Sequence, residues 1–204
     1  MTRTAILVSG DGTILQTILD SMYFGEIPDF ELCAVICPEQ DAYALKRARN
    51  AHVPFFVVDP SDFPTKLSYS MAISNKLKDM DIDLVVLDAY SMPLGVIPSQ
   101  FRNKIMGVYP ALIPAFEGFD GDPVRGALER GCRVTGATVY IADVDGNIGP
   151  VVSQGAVDVL PGDSVESLER RIMEEAAWKL LPKAVILFCS GKLEIHGSRV
   201  VINE

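Results

Sequence analysis

The segment Ser9-Gly10-Asp11-Gly12-Thr13 follows a short apolar run, Ala5-Ile6-Leu7-Val8, and leads into an amphipathic stretch that begins at Ile14. Glycines in a strand-to-helix turn let backbone N–H groups point inward, and the helix N-terminus adds partial positive charge. Such a turn can cradle a phosphate without a cationic side chain. It can equally serve as nothing more than a tight connection, and both readings stand on these residues alone. The other chemistry-bearing side chains are sparse. His52 and His196 are the only histidines, and both fall in turns, where they read as surface residues. The cysteines are Cys33, Cys37, Cys132 and Cys189. Cys33 and Cys37 are spaced too widely for a C-x-x-C pair and have no histidine near them. All four read as small hydrophobes of a reduced, cytosolic protein. No metal is expected.

The elements that must position this turn alternate along the chain. Strands are expected at 5–8, 30–37, 55–58 and 83–87, with helices at 14–22, 41–51 and 65–80 between them. Alternation of this kind predicts an α/β fold, a Rossmann-like, mostly parallel sheet with helices on both faces. The second half differs. A strand at 104–108 runs into a Pro/Gly-rich loop at 110–122 and a short helix at 123–130 with Pro123 in its first turn. Two strands, 135–142 and 149–159, flank a polar loop at 143–148. A long helical stretch spans 164–189. Ser164 followed by Ser167 is a weak cap at its start, Asp163 and Glu166 supply a usable capping box, and Pro182 breaks or kinks it. A terminal hairpin at 192–202 turns at His196-Gly197-Ser198.

Composition sets the outer bounds. The 204 residues suit a single domain, 1–204, large enough to bury a core without disulfide or metal staples. Hydrophobic residues make up 49% and charged residues 22%, as in an ordinary folded globule. The net charge of -9 repels nucleic acid and anionic lipid, so neither is expected as a partner. No apolar run approaches the roughly 20 residues of a membrane span, and no signal peptide precedes Ser9. A cytoplasmic protein is expected.

Six short strings, in order along nearly the whole chain, resemble the phosphoribosylglycinamide formyltransferase family. Val8-Ser9-Gly10-Asp11-Gly12-Thr13-Ile14-Leu15-Gln16 is similar to the family's S-G-x-G-S/T-N-L-Q opening. Asp41-Ala42-Tyr43-Ala44-Leu45-Lys46-Arg47-Ala48 resembles D-A-x-x-L-x-R-A, and Asp83-Leu84-Val85-Val86-Leu87 resembles D-L-V-V-L. Tyr109-Pro110-Ala111-Leu112-Ile113-Pro114 sits where the family has H-P-S-L-L/I-P. Val134-Thr135-Gly136-Ala137-Thr138-Val139 and Val159-Leu160-Pro161-Gly162-Asp163-Ser164 resemble V-T-G-x-T-V and V-x-P-G-D-T/S. The resemblance implies the formyltransferase fold and formyl transfer from 10-formyltetrahydrofolate to phosphoribosyl-glycinamide in purine biosynthesis. It implies a phosphate site at Gly10, Gly12, Thr13, Ile14, Leu15 and Gln16. It also implies a folate site at Lys66, Tyr90, Ser91, Met92, Pro93, Leu94, Asp143 and Asp145, with Lys66 otherwise a solvated helix charge. A homodimer is implied by relatives of this kind.

The same resemblance exposes departures at the chemical positions. The family holds and protonates the developing oxyanion with Asn and His of N-x-H-P, and an Asp in D-x-G-P keeps that His charged. Here the strings read Gly107-Val108-Tyr109-Pro110 and Asn147-Ile148-Gly149-Pro150. The catalytic positions therefore carry Gly107, Tyr109 and Asn147, unless the loop is shifted and Asp143 or Asp145 supplies the carboxylate. A tyrosine, with an ordinary pKa near 10, is a poor proton carrier at neutral pH, although it can donate one hydrogen bond. The family's Asn after G-S/T is Ile14, and its A-G-F-M-R loop reads Asp88-Ala89-Tyr90-Ser91-Met92, so an Arg is replaced by Met92. Three readings follow. The chain is a non-catalytic or repurposed relative that binds a phosphoribosyl ligand or analogue. It is a working formyltransferase using Tyr109 with Asp143 or Asp145. Or it is an interaction protein paired with an active paralogue.

Overall fold

The computed structural model describes residues 1–203 as an α/β fold with a mostly parallel sheet. The chain forms two compact units. One comprises Met1–Gly107 with Ile141–Asn147, the other Val108–Tyr140 with Ile148–Glu204.

The first unit carries strands β1 (Thr2–Val8), β2 (Phe30–Cys37), β3 (Phe55–Val57), β4 (Leu84–Asp88) and the start of β5 (Ile105–Tyr109). They lie in the order β3-β2-β1-β4-β5, all parallel. Ala5, Ile6, Leu7 and Val8 of β1 and Leu84, Val85 and Val86 of β4 are fully buried, as central parallel strands require. Helices α1 (Thr13–Tyr23), α2 (Tyr43–Asn50), α3 (Lys66–Asp79) and the single turn α4 (Ile97–Gln100) connect them. Leu15, Ile18 and Leu19 form the buried stripe of α1. Each fully buried side chain of this size contributes about 1.5–3 kcal/mol. Thr65 and Ser68 form a reciprocal capping box that starts α3.

The second unit contains α5 (Pro123–Glu129), β6 (Val134–Ala142, whose last residues belong to the first unit) and β7 (Ile148–Asp158). It ends with α6 (Val165–Ile172), α7 (Trp178–Cys189) and the hairpin β8 (Leu193–His196) and β9 (Arg199–Ile202). Strand order here is β6-β7-β9-β8, with β9 parallel to β7 and antiparallel to β8. Gly136 is required in β6 because a Cβ there would run into the carbonyl of Gly155 on β7.

The expected cap of the long helical stretch is corrected. The capping box uses Ser164 and Ser167 instead of Asp163 and Glu166. Asp163 is engaged elsewhere, by a two-pronged ion pair in which Arg171 Nη1 and Nη2 reach its carboxylate at 2.6 and 2.8 Å. Pro182 lies inside α7 without ending it. The irregularity falls upstream, in a π-helical turn at Met173–Ala177 whose Ala176 and Ala177 are buried.

Candidate functional site

In the first unit the chain leaves β1, fills β2 and β3 on one side, and returns to β4 on the other. Ligands of open α/β sheets sit beyond the carboxyl ends of strands at such a reversal. Ser9 follows β1 there and Asp88 ends β4, joined by the Ser9 N–H donating to the Asp88 carbonyl at 3.1 Å.

The glycine turn has the conformation that its sequence suggests. Gly10 and Gly12 both adopt the left-handed region, at φ 69° and 72°. Gly12 starts α1 with no side-chain cap, and a Cβ on it would lie 2.8 Å from the Ala44 Cβ. An L side chain is thus excluded twice, by backbone strain and by the packing of α2. The N–H groups of a first helical turn have no intrahelical acceptor, so that of Thr13 is available to an anion. The Gly10 carbonyl accepts from Ala44 N at 3.2 Å, which pins the turn to α2.

The side chains of this region are less available than the sequence suggests. Ile14 and Leu15 are buried in the core, leaving only their N–H groups toward the loop. Leu15 N–H already donates to Asp88 Oδ2 at 2.8 Å. Gln16 bridges Asp20 and Arg47 at 2.7 Å each. Arg47 also donates to the Asp11 carbonyl at 2.8 Å. Gly10 N–H donates to Glu39 Oε2 at 3.1 Å. Asp88, Glu39 and Arg47 were not among the expected site residues. A charged residue ending the apolar run of β4 was the one available signal for Asp88.

The segment after β4 begins with Ala89 at φ 46°, a left-handed residue where the resembled family has Gly. Tyr90 OH meets Tyr69 OH at 2.7 Å. Burial, and then the Tyr69 hydroxyl, push the Tyr90 phenol far above its ordinary pKa, so it stays protonated. Ser91 is tied to Ser9, N–H to Oγ at 3.1 Å and Oγ to Oγ at 3.0 Å. Met92 and Leu94 are half-buried, Pro93 is exposed, and Gly146 of the 143–147 loop packs on Leu94 and Pro98. Lys66 is exposed at the start of α3 and takes part in no salt bridge among the described residues.

Asp143 folds the 143–147 loop onto itself. Its Oδ1 accepts from Asp145 N and Asn147 N, both at 2.9 Å. Burial would raise its pKa, but these N–H donors and the Asn147 amide hold the carboxyl below its usual range. Asp145 and Asn147 are exposed. Gly107 is buried in β5 and belongs to the same unit as this loop.

Tyr109, two residues on from Gly107, ends β5 and belongs to the second unit. Its hydroxyl donates to the Phe116 carbonyl at 2.7 Å. Burial first, then Glu117 and Asp122, raise its pKa, which keeps the phenol protonated. The loop that it holds is built from aromatic packing. Phe116 and Phe119 meet edge to face at 5.6 Å between centroids, and the Arg130 guanidinium lies over both rings. Gly126 makes room for them on α5, since a Cβ there would be 2.8 Å from the Phe116 ring. The start of the loop hangs on Thr138 of β6, which donates to the Ala111 carbonyl at 2.7 Å and accepts from Ile113 N at 3.1 Å. Gln154 adds bonds to the Ile113 carbonyl and Thr138 Oγ1.

His52 and His196 are exposed. Among the described residues no group of three or more His, Cys, Asp or Glu is arranged to hold a metal ion, and no helix is long and apolar enough to cross a membrane.

A parallel α/β unit with a glycine turn at its strand reversal belongs to the open α/β folds that bind ligands beyond their strand ends. Comparison with known proteins narrows that class. Residues 2–186 match the formyl transferase family. The phosphoribosylglycinamide formyltransferase of Haemophilus influenzae is 33% identical over 199 residues, spanning 97% of this chain and 92% of its own length. Glycinamide ribonucleotide transformylase 1 from Symbiobacterium toebii superposes with a TM-score of 0.94 at 40% identity, over 100% of this chain and 95% of that one. The phosphoribosylglycinamide formyltransferase of Anaplasma phagocytophilum superposes with a TM-score of 0.87 at 26% identity, over 100% and 95%. The chain belongs to the formyl transferase family and is a phosphoribosylglycinamide formyltransferase-like protein.

Proposed function

We propose that this chain keeps the family's phosphoribosyl-binding turn and has lost most of its formyl-transfer turnover. The family reaction breaks the bond between the formyl carbon and N10 of 10-formyltetrahydrofolate and forms a bond from that carbon to the amine of phosphoribosyl-glycinamide. Its demand is a donor at the developing oxyanion and a proton for the departing nitrogen. The observation that carries the reading is the Tyr109 hydroxyl, which donates to the Phe116 carbonyl. At the position of the family's His this chain has a protonated phenol whose single proton is already engaged. Gly107, at the position of the family's Asn, has no side chain to offer, and Asn147, at the position of the Asp, has no charge.

Loss of one oxyanion donor costs about 10²–10³ in rate, and loss of general-acid help about 10²–10⁴. The factors are not additive for residues that act together, yet either alone is a large impairment. A rescue by Asp143 has less support, because its Oδ1 is engaged by the Asn147 and Asp145 N–H groups and folds the loop onto itself. Lys66 and the 90–94 segment are assigned to the folate side on the resemblance.

Calorimetric titration tests the binding half of this reading. Phosphoribosyl-glycinamide is expected to bind to the wild type, with ribosyl-glycinamide lacking the phosphate binding at least about tenfold more weakly. Equal affinity for the two, or none for either, would remove the phosphate-binding assignment.

A further inference from the structure

The glycine turn presents backbone donors, and two of its acceptors are carboxylates of this chain. Gly10 N–H donates to Glu39 Oε2 at 3.1 Å and Leu15 N–H to Asp88 Oδ2 at 2.8 Å. The Ile14 N–H is directed at the same Asp88 carboxylate. Asp88 is 2% exposed, and its backbone is fixed by β4 and by the Ser9 N–H. Asp11 adds a third carboxylate within the turn itself. Arg47 brings a cation to the turn, with its Nε on the Asp11 carbonyl and its Nη1 on Gln16. A phosphate monoester brings about -1.5 to -2 of charge at neutral pH. At this turn it meets a helix N-terminus whose field is already answered from within.

We infer that Asp88 and Glu39 are the specificity-determining residues of the turn: they engage some of its N–H donors with negative charge and hold its affinity for phosphate low. The inference rests on the assignment of the turn as a phosphate site. Asp88 acts from inside, through the donors of α1, and Glu39 from the surface, through the Gly10 donor. Neutralising either one removes its negative charge from the turn and leaves an acceptor oxygen in place, so an incoming phosphate meets less repulsion. An Asn at 88 still offers an oxygen to the Leu15 N–H. Glu39 is exposed, so its amide variant leaves the core untouched.

The test is calorimetry on the full chain with inorganic phosphate and ribose 5-phosphate, using ribose as the uncharged control. Wild type, Asp88→Asn, Glu39→Gln and the double variant are compared at pH 7.5. Phosphate and ribose 5-phosphate are expected to bind about tenfold or more tightly to Asp88→Asn and about threefold more tightly to Glu39→Gln, with ribose unchanged. Affinities equal across all four proteins, or weakened in the variants, overturn the role of the two carboxylates and leave the phosphate turn standing. No phosphate binding to any of the four at millimolar concentration overturns the phosphate turn and this inference with it.

Discussion

Tyr109 and Asp88 show how one residue can redirect a site. On the proposed reading Tyr109 stands where the family has a side chain that carries protons near neutral pH, and its own hydroxyl donates to the Phe116 carbonyl. Asp88 brings a carboxylate into the core, where burial pushes its pKa up to about 6 against the pull of the Leu15 and Ile14 N–H groups and Arg47. An unfolded Asp titrates near 3.9. Between about pH 4 and 6 the folded chain therefore holds a proton that the unfolded chain has lost, so this group's contribution to stability falls as pH rises through that window and is constant above it. Its size is on the order of 2 kcal/mol. Urea unfolding of wild type and Asp88→Asn at pH 4 and pH 7 reads it directly. The Asn variant is expected to gain on the wild type by about that amount between the two pH values; a difference that does not change with pH would show that Asp88 titrates normally.

At the scale of elements, the alternating strands and helices of the first unit were legible because buried parallel strands are short apolar runs and their flanks carry Gly, Pro and caps. What the sequence hid was which polar group takes which donor. Asp163 and Glu166 had the spacing of a capping box, yet Arg171 claims Asp163 and Ser164 takes the cap with Ser167. Pro182 promised a break, and α7 runs through it while the backbone departs from α-helix a turn earlier. The Thr in the 134–139 string reads as an ordinary β-branched strand residue. In the fold Thr138 is the peg from which the 110–114 segment hangs, and no local pattern announces that. Thr138→Val keeps the shape and removes the hydroxyl, leaving the Ile113 N–H and Gln154 amide without that oxygen. It is expected to cost about 1–3 kcal/mol and to speed hydrogen exchange at Ile113 while leaving α1 unchanged. Unaltered stability and exchange would mean that the segment is held by its other contacts.

For the whole molecule, family and fold were legible in the order of six short strings, since those strings mark turns and close approaches that the fold demands. Gly12 meets Ala44 and Gly136 meets Gly155 for reasons of packing, whatever the chemistry does. Gly107, Tyr109 and Asn147, the positions proposed to have lost their chemistry, lie outside those close approaches. Charge bears on the proposed phosphate turn in the same way: the chain carries a net -9, and two backbone donors at the turn are engaged by carboxylates of its own. The most direct measurement is formyl transfer from 10-formyltetrahydrofolate to phosphoribosyl-glycinamide by the wild type and by the Gly107→Asn, Tyr109→His, Asn147→Asp triple variant. The expected result is a wild-type rate near background and a triple variant at least about 100-fold faster, whereas wild-type turnover in the ordinary enzyme range of about 1–10³ s⁻¹ would contradict the loss of chemistry at these three positions.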